Sequence, residues 1–267
     1  MVELPDRLAH LIANLLKEEP GQYSLAIQDL AGNEVWPFRP ARLRAASLIK
    51  IFIMIEAFRQ AELGRLKLCD WTAVTDDVRV GGAGPLSDFP SGVKITWLEV
   101  IELMITESDN AATNLLIKAL GMEAVNAQIA RLGCKDTVLS RKMMDFASAE
   151  AGRENYTTPS EVTAVLAKIY RRDCLGSEMD EAMLDILKNQ QDKVKLPLLL
   201  PPGTVVAHKT GELDKAEHDA GIIFTPAGDY VLSIMSDNLP DNLRGQEVIA
   251  RLSRLIYDEF NQKTPAY

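Results

Sequence analysis

The residues in this chain best suited to chemistry are a serine and a lysine three positions apart, Ser47 and Lys50. An almost unbroken apolar run surrounds the lysine, from Leu48 to Ile55, and its composition predicts a helix beginning near the serine. The run is apolar on all sides, so that helix is expected to be buried. Residues three apart share a helix face, which brings the Lys50 amine beneath the Ser47 hydroxyl. Desolvation disfavours an ammonium, and a neutral amine beside a hydroxyl is a base that makes a nucleophile. The pattern also has a plain explanation, with serine as an N-cap and lysine reaching out to water. A chain of this length holds about one Ser-x-x-Lys by chance, and a second stands at Ser91-Gly92-Val93-Lys94 in a Pro/Gly-rich loop.

Two tripeptides give Ser47 company. Ser108-Asp109-Asn110 falls between two predicted helices, and Lys209-Thr210-Gly211 lies on a predicted strand. Ser47, Ser108 and Lys209 follow one another at separations of 61 and 101 residues. A repeat of the middle motif, Ser236-Asp237-Asn238, ends a strand after the lysine and reads as a turn. Ser-x-x-Lys, Ser-Asp-Asn and Lys-Thr-Gly in this order resemble the serine β-lactamase and DD-peptidase (penicillin-binding protein) superfamily, class A branch. Ser108 to Leu116 is similar to that family's helix start, and Gly221-Ile222-Ile223 to its following strand.

The resemblance implies roles at the matching positions. Ser47 attacks a carbonyl and Lys50 takes its proton. Ser108 relays a proton to the leaving nitrogen, and Asn110 holds a substrate amide. Lys209 supplies positive charge near a substrate carboxylate, which Thr210 hydrogen-bonds, with Gly211 beside it. The backbone N–H groups of Ser47 and Glu212 form an oxyanion hole, worth roughly 3 kcal/mol per donor in other serine hydrolases.

The match fails at one place. The family carries a glutamate in a long loop after the second motif, where it directs water onto the acyl-enzyme. Here the loop reads Leu139-Ser140-Arg141-Lys142-Met143, so methionine stands at the glutamate position. A thioether takes no proton from water at neutral pH. Either Asp145, Glu150 or Glu154 substitutes, or deacylation is slow; Glu150 and Glu154 read as solvated loop charges, leaving Asp145 as the candidate base. His218, where many relatives carry a basic residue, either assists or is an ordinary strand-edge histidine.

These residues need elements to position them. Helical spacing is expected over 5–18, from Ser47 onward, and over 95–106, 111–120, 122–132, 159–171 and 243–260, with another helix opening at Ser177. Strands are expected over 23–30, 34–38, 205–210, 220–225 and 230–236, and a long loop over 135–156. Thr158-Pro159-Ser160-Glu161 reads as a capping box. The order predicts an α/β (α+β) fold: an antiparallel sheet from both chain ends, residues 1–42 and 203–267, flanked by terminal helices, with an inserted all-helical domain over 43–202. Ser47 then lies at the seam.

The chain has 267 residues, 47% hydrophobic and 25% charged, with a net charge of −9, which argues against a nucleic-acid or anionic-membrane partner. Arg39, Arg42 and Arg44 are the one local basic cluster and read as a solvated loop. Cys69, Cys134 and Cys174 are far apart and lack metal-ligand spacing, so no metal or organic cofactor is implied. The N-terminal residues lack the pattern of a signal peptide, which reads as a cytoplasmic protein or one exported with its leader absent from this chain. A monomer acting on a small β-lactam, peptide or ester is expected. Three functions stay open: a β-lactamase-like hydrolase acylated at Ser47, a DD-peptidase or esterase using the same residues, and a β-lactam-binding sensor that stays acylated.

Overall fold

The computed structural model describes residues 4–262. In chain order its elements are α1 (Asp6–Leu15), β1 (Gln22–Asp29), β2 (Trp36–Phe38), β3 (Leu43–Arg44), α2 (Ile49–Glu62), β4 (Trp71–Ala73), β5 (Lys94–Thr96), α3 (Trp97–Thr106), α4 (Asn110–Leu120) and α5 (Met122–Arg131). They continue with α6 (Phe146–Glu150), β6 (Tyr156–Thr157), α7 (Pro159–Tyr170), α8 (Ser177–Lys188), β7 (Val206–Leu213), β8 (Ala216–Ile223), β9 (Tyr230–Asp237) and α9 (Asn242–Asn261).

β1 pairs antiparallel with β9 along its whole length, with Leu25 opposite Ile234, and so joins the two ends of the chain. The sheet order is β2-β1-β9-β8-β7, all antiparallel, which makes β7 an edge strand. On one face, Leu25, Ile27, Leu232 and Ile234 pack in a core with Ile12 of α1 and Val248, Leu252 and Ile256 of α9. On the other, Ala220, Ile222, Val231 and Met235 join the core built by α2, α4 and α7. A sheet covered on both faces needs strands buried throughout, not alternating, and β8 is buried from end to end.

α2 runs through the middle of the helical region, and every side chain from Ile49 to Phe58 is buried, including Lys50 and Glu56. Arg59 and Gln60 satisfy the Glu56 carboxylate, at 2.7 and 2.8 Å. Truncating a residue such as Phe52 in so enclosed a position costs roughly 3–5 kcal/mol.

Several boundaries differ from expectation, each for a local reason. Ser47 does not start the α-helix; it sits in a 3-10 turn, Ala46–Leu48, and α2 begins at Ile49. Residues 94–96 form β5, and Thr96 then caps α3 in a reciprocal box with Glu99. The Thr158 box is only half formed: its hydroxyl accepts from the Glu161 N–H, while the Glu161 carboxylate turns to the N–H groups of Lys135 and Asp136. β8 begins at Ala216, four residues before the expected strand, because Glu217, His218 and Asp219 are buried polar residues that read as loop in sequence. β2 is confined to Trp36–Phe38.

Candidate active site

A cleft of about 740 Å³ opens between the end of β7, the turn before α2 and the start of α4. Ser47, Ser108, Asn110, Thr210, Gly211 and Glu212 all line it. Among the described residues, three of the seven non-glycine positions with positive φ lie on its wall: Ala46 at 47°, Ser108 at 55° and Met144 at 61°. Such backbone costs of order 1–3 kcal/mol per residue and collects where the surroundings hold a site in shape. A separate hollow of about 660 Å³, walled by Trp71 and Phe89, contains none of the motif residues.

The three motifs converge. Lys50 is fully buried, and its Nζ donates to the Ser108 carbonyl at 2.6 Å, the Ser108 hydroxyl at 3.2 Å and Asn110 Oδ1 at 3.0 Å. The lysine expected beneath Ser47 therefore points its hydrogen bonds at the second motif. Burial, and then the like charge of Lys209, drive its pKa far below that of a free lysine; Asp109 opposes weakly. Lys209 is buried too, and desolvation with the nearby Lys195 ammonium lowers it to about 7. Its Nζ donates to the Thr210 carbonyl at 2.9 Å. Gly211 lets β7 lie against the Ser47 turn, since a Cβ there would meet Ala46 Cβ and His218 Cδ2 at 3.2 Å.

Residues 81–86 fasten the second motif. Asn110 receives its backbone geometry by donating from N to the Ala83 carbonyl and from Nδ2 to the Gly81 carbonyl. Asp109 caps α4 through the Ala112 N–H and also accepts from the Leu86 N–H, both at 2.7 Å. Gly84, at φ 92°, lies so close that a Cβ would come within 2.3 Å of Asp109. Nothing in the spacing of these glycines marks them in the sequence as the clamp on this motif.

The loop over 135–156 is tied down by three asparagines. Asn126 bonds both the N–H and carbonyl of Leu139, and Asn114 does the same for Met143. Asn155 accepts from the N–H groups of Ser140 and Arg141 and donates to the Arg141 carbonyl. Glu154 is not the solvated charge expected: it forms a buried pair with Arg141 at 2.8 Å, and both line the cleft. Asp145 lies outside the cleft lining. Its carboxylate caps α6 by accepting from the Ser148 N–H and hydroxyl at 3.0 and 2.7 Å, which hold its acid low. That position leaves it poorly suited to activate water. Met143 and Met144 occupy the loop's share of the cleft wall.

His218 is wholly buried and neutral in character: desolvation lowers its pKa to about 4. Nδ1 accepts from the Ser236 N–H and Nε2 donates to the Arg44 carbonyl, so it fixes the sheet to the segment before Ser47. Arg44, read as solvated, is half-buried in an ion pair with Asp237 at 2.7 Å.

One cleft residue had no sequence signal. Lys195, in the irregular stretch between α8 and β7, is 1% exposed and lines the cleft. Its Nζ contacts Glu217 Oε2 at 2.6 Å, the Gly211 carbonyl at 3.3 Å and Asp192 Oδ2 at 3.6 Å. Burial alone would lower its pKa, but the opposing carboxylates of Glu217 and Asp192 raise it, so it stays charged. Behind it His208 Nδ1 meets Asp219 at 2.9 Å.

The chain matches, over residues 7–260, the sequence model of a family described as the beta-lactamase enzyme family. A β-lactamase of Bacteroides uniformis is 30% identical over 61% of this chain, and the match spans 60% of that protein's length. Among solved structures, a β-lactamase from Sphaerobacter thermophilus superposes with a TM-score of 0.87 at 30% identity, covering 97% of this chain and 98% of the other. A mutant of PBP-A, solved as an acyl-enzyme complex with penicillin G, superposes at 0.89 with 29% identity, covering 97% of this chain and all of the other.

Proposed function

The chain belongs to the β-lactamase enzyme family, and from that premise we propose a serine hydrolase that is acylated at Ser47 by β-lactams and releases the product slowly. Neutral Lys50 takes the proton as the Ser47 oxygen attacks the carbonyl carbon, and the N–H groups of Ser47 and Glu212 receive the oxyanion. The carbon–nitrogen bond of the lactam breaks, and the leaving nitrogen collects a proton through Ser108, whose hydroxyl lies 3.2 Å from Lys50 Nζ. Asn110 and Thr210 orient the substrate, and Lys209 adds charge to the relay. The product is an ester on Ser47. Water must then cleave it, and the residue offered at the loop position is Met143, which takes no proton. The observation that carries this reading is Lys50: fully buried, with both second-motif side chains, the Ser108 hydroxyl and Asn110 Oδ1, on its Nζ.

The cleft separates the proposed sheet domain, 1–42 and 203–267, from the helical insertion over 43–202, and the protein acts as a monomer on a small molecule. A DD-peptidase or esterase using the same residues is the second reading, favoured by the methionine at position 143. The test is the intact mass of the protein after mixing with a penicillin. A single adduct that appears within seconds to minutes and decays over hours is expected, and Ser47→Ala abolishes it. Decay within seconds refutes slow release, and an adduct surviving in Ser47→Ala refutes the choice of serine.

A further inference from the structure

One end of the cleft wall carries a hydroxyl and a buried ammonium, Thr210 and Lys195, which together make a seat for an anion. That seat is already filled from within. The Asp192 carboxylate lies within hydrogen-bonding reach of the Thr210 hydroxyl and 3.6 Å from Lys195 Nζ, and its Oδ1 accepts from the Val194 N–H at 3.2 Å. Lys195 Nζ already lies against Glu217 Oε2 at 2.6 Å, the Gly211 carbonyl at 3.3 Å and Asp192 Oδ2 at 3.6 Å, so an incoming carboxylate must compete with acceptors of the chain itself.

The two acids on Lys195 differ in how easily they move. Glu217 is 0% exposed, touches Lys195 at 2.6 Å and accepts from Gln246 Nε2, and so is locked in place. Asp192 is 35% exposed, sits in the irregular stretch after α8 and makes the longer contact. Asp192 is therefore the displaceable ligand.

We propose that Asp192 is a built-in carboxylate occupying the anion seat of the cleft, so that an acyl donor bearing its own carboxylate must displace it and a neutral one need not. Asp192 is then a specificity-determining residue that turns the site toward esters and amides without an anionic group at this end. The inference rests on acylation of Ser47 as proposed above.

The test compares acylation rate constants, read by intact mass, for a penicillin and for its methyl ester. Asp192→Asn and Asp192→Ala raise the penicillin-to-ester rate ratio about tenfold over the wild type, and either variant alone is sufficient if the other does not fold. Asp214→Asn, which removes another cleft-lining acid without freeing Lys195, shifts the ratio less than about twofold. An unchanged or lower ratio in the Asp192 variants, or an equal rise in Asp214→Asn, overturns the inference while leaving acylation intact. No adduct on the wild type with either compound overturns the acylation reading itself, and this inference with it.

Discussion

Two buried lysines bound the same cleft and have opposite fates. Lys50 and Lys195 are 0% and 1% exposed. Lys50 donates to neutral acceptors, and burial, followed by the like charge of Lys209, pulls its pKa far below that of a free lysine. The nearby Asp109 is itself engaged by two N–H groups. Lys195 meets the Glu217 carboxylate at 2.6 Å and keeps its proton despite the same burial. Desolvation sets the cost of the charge in both places, and the partner decides whether the charge survives. One corner is thereby fitted to take a proton and the other to hold a charge.

The contrast breaks most severely at Lys50. Replacing it with alanine removes the proton acceptor and slows adduct formation about 10²- to 10⁴-fold, read from the rate of mass increase with a penicillin. Glu217→Gln attacks the other corner: removing one member of a buried pair costs roughly 3–5 kcal/mol, seen as a lower denaturation midpoint in urea. Supplying a carboxylate where neither lysine acts sharpens the picture. Met143→Glu keeps the backbone gripped by Asn114 and shortens the lifetime of the adduct about 10²-fold, within the usual range for a general base.

A further comparison concerns pH. Lys209 titrates near 7 in the folded chain against 10.5 for a free lysine, so between those values the unfolded chain binds a proton that the folded chain lacks. Stability from this group therefore rises with pH across that window and is lowest below 7. Lys209→Met removes the dependence, and its Tm gain over the wild type is largest at pH 6 and shrinks toward pH 10. A gain independent of pH would show that Lys209 is charged, or neutral, throughout.

What could be read from sequence was whatever rests on short spacing or long apolar runs. The buried α2 and the terminal strands were of this kind, because a helix apolar on every face must be enclosed and a covered strand is apolar throughout. The start of β8 escaped because its buried residues are Glu217, His218 and Asp219, whose partners lie on other elements. Glu154 read as solvated because its partner, Arg141, stands 13 residues away across the loop. The three asparagines that grip that loop carry no period at all.

By itself the amino-acid order determined which groups are available: two serines and two lysines in order, a methionine at the loop position, and enough apolar sequence to bury them. Tertiary structure alone decided their protonation and their partners. Lys50 meets Ser108 across 58 residues, and Lys195 meets Glu217 only once α8 has brought its trailing segment against β8. Charge in a protein interior depends on distance and solvent exclusion, and neither quantity exists until the chain has folded.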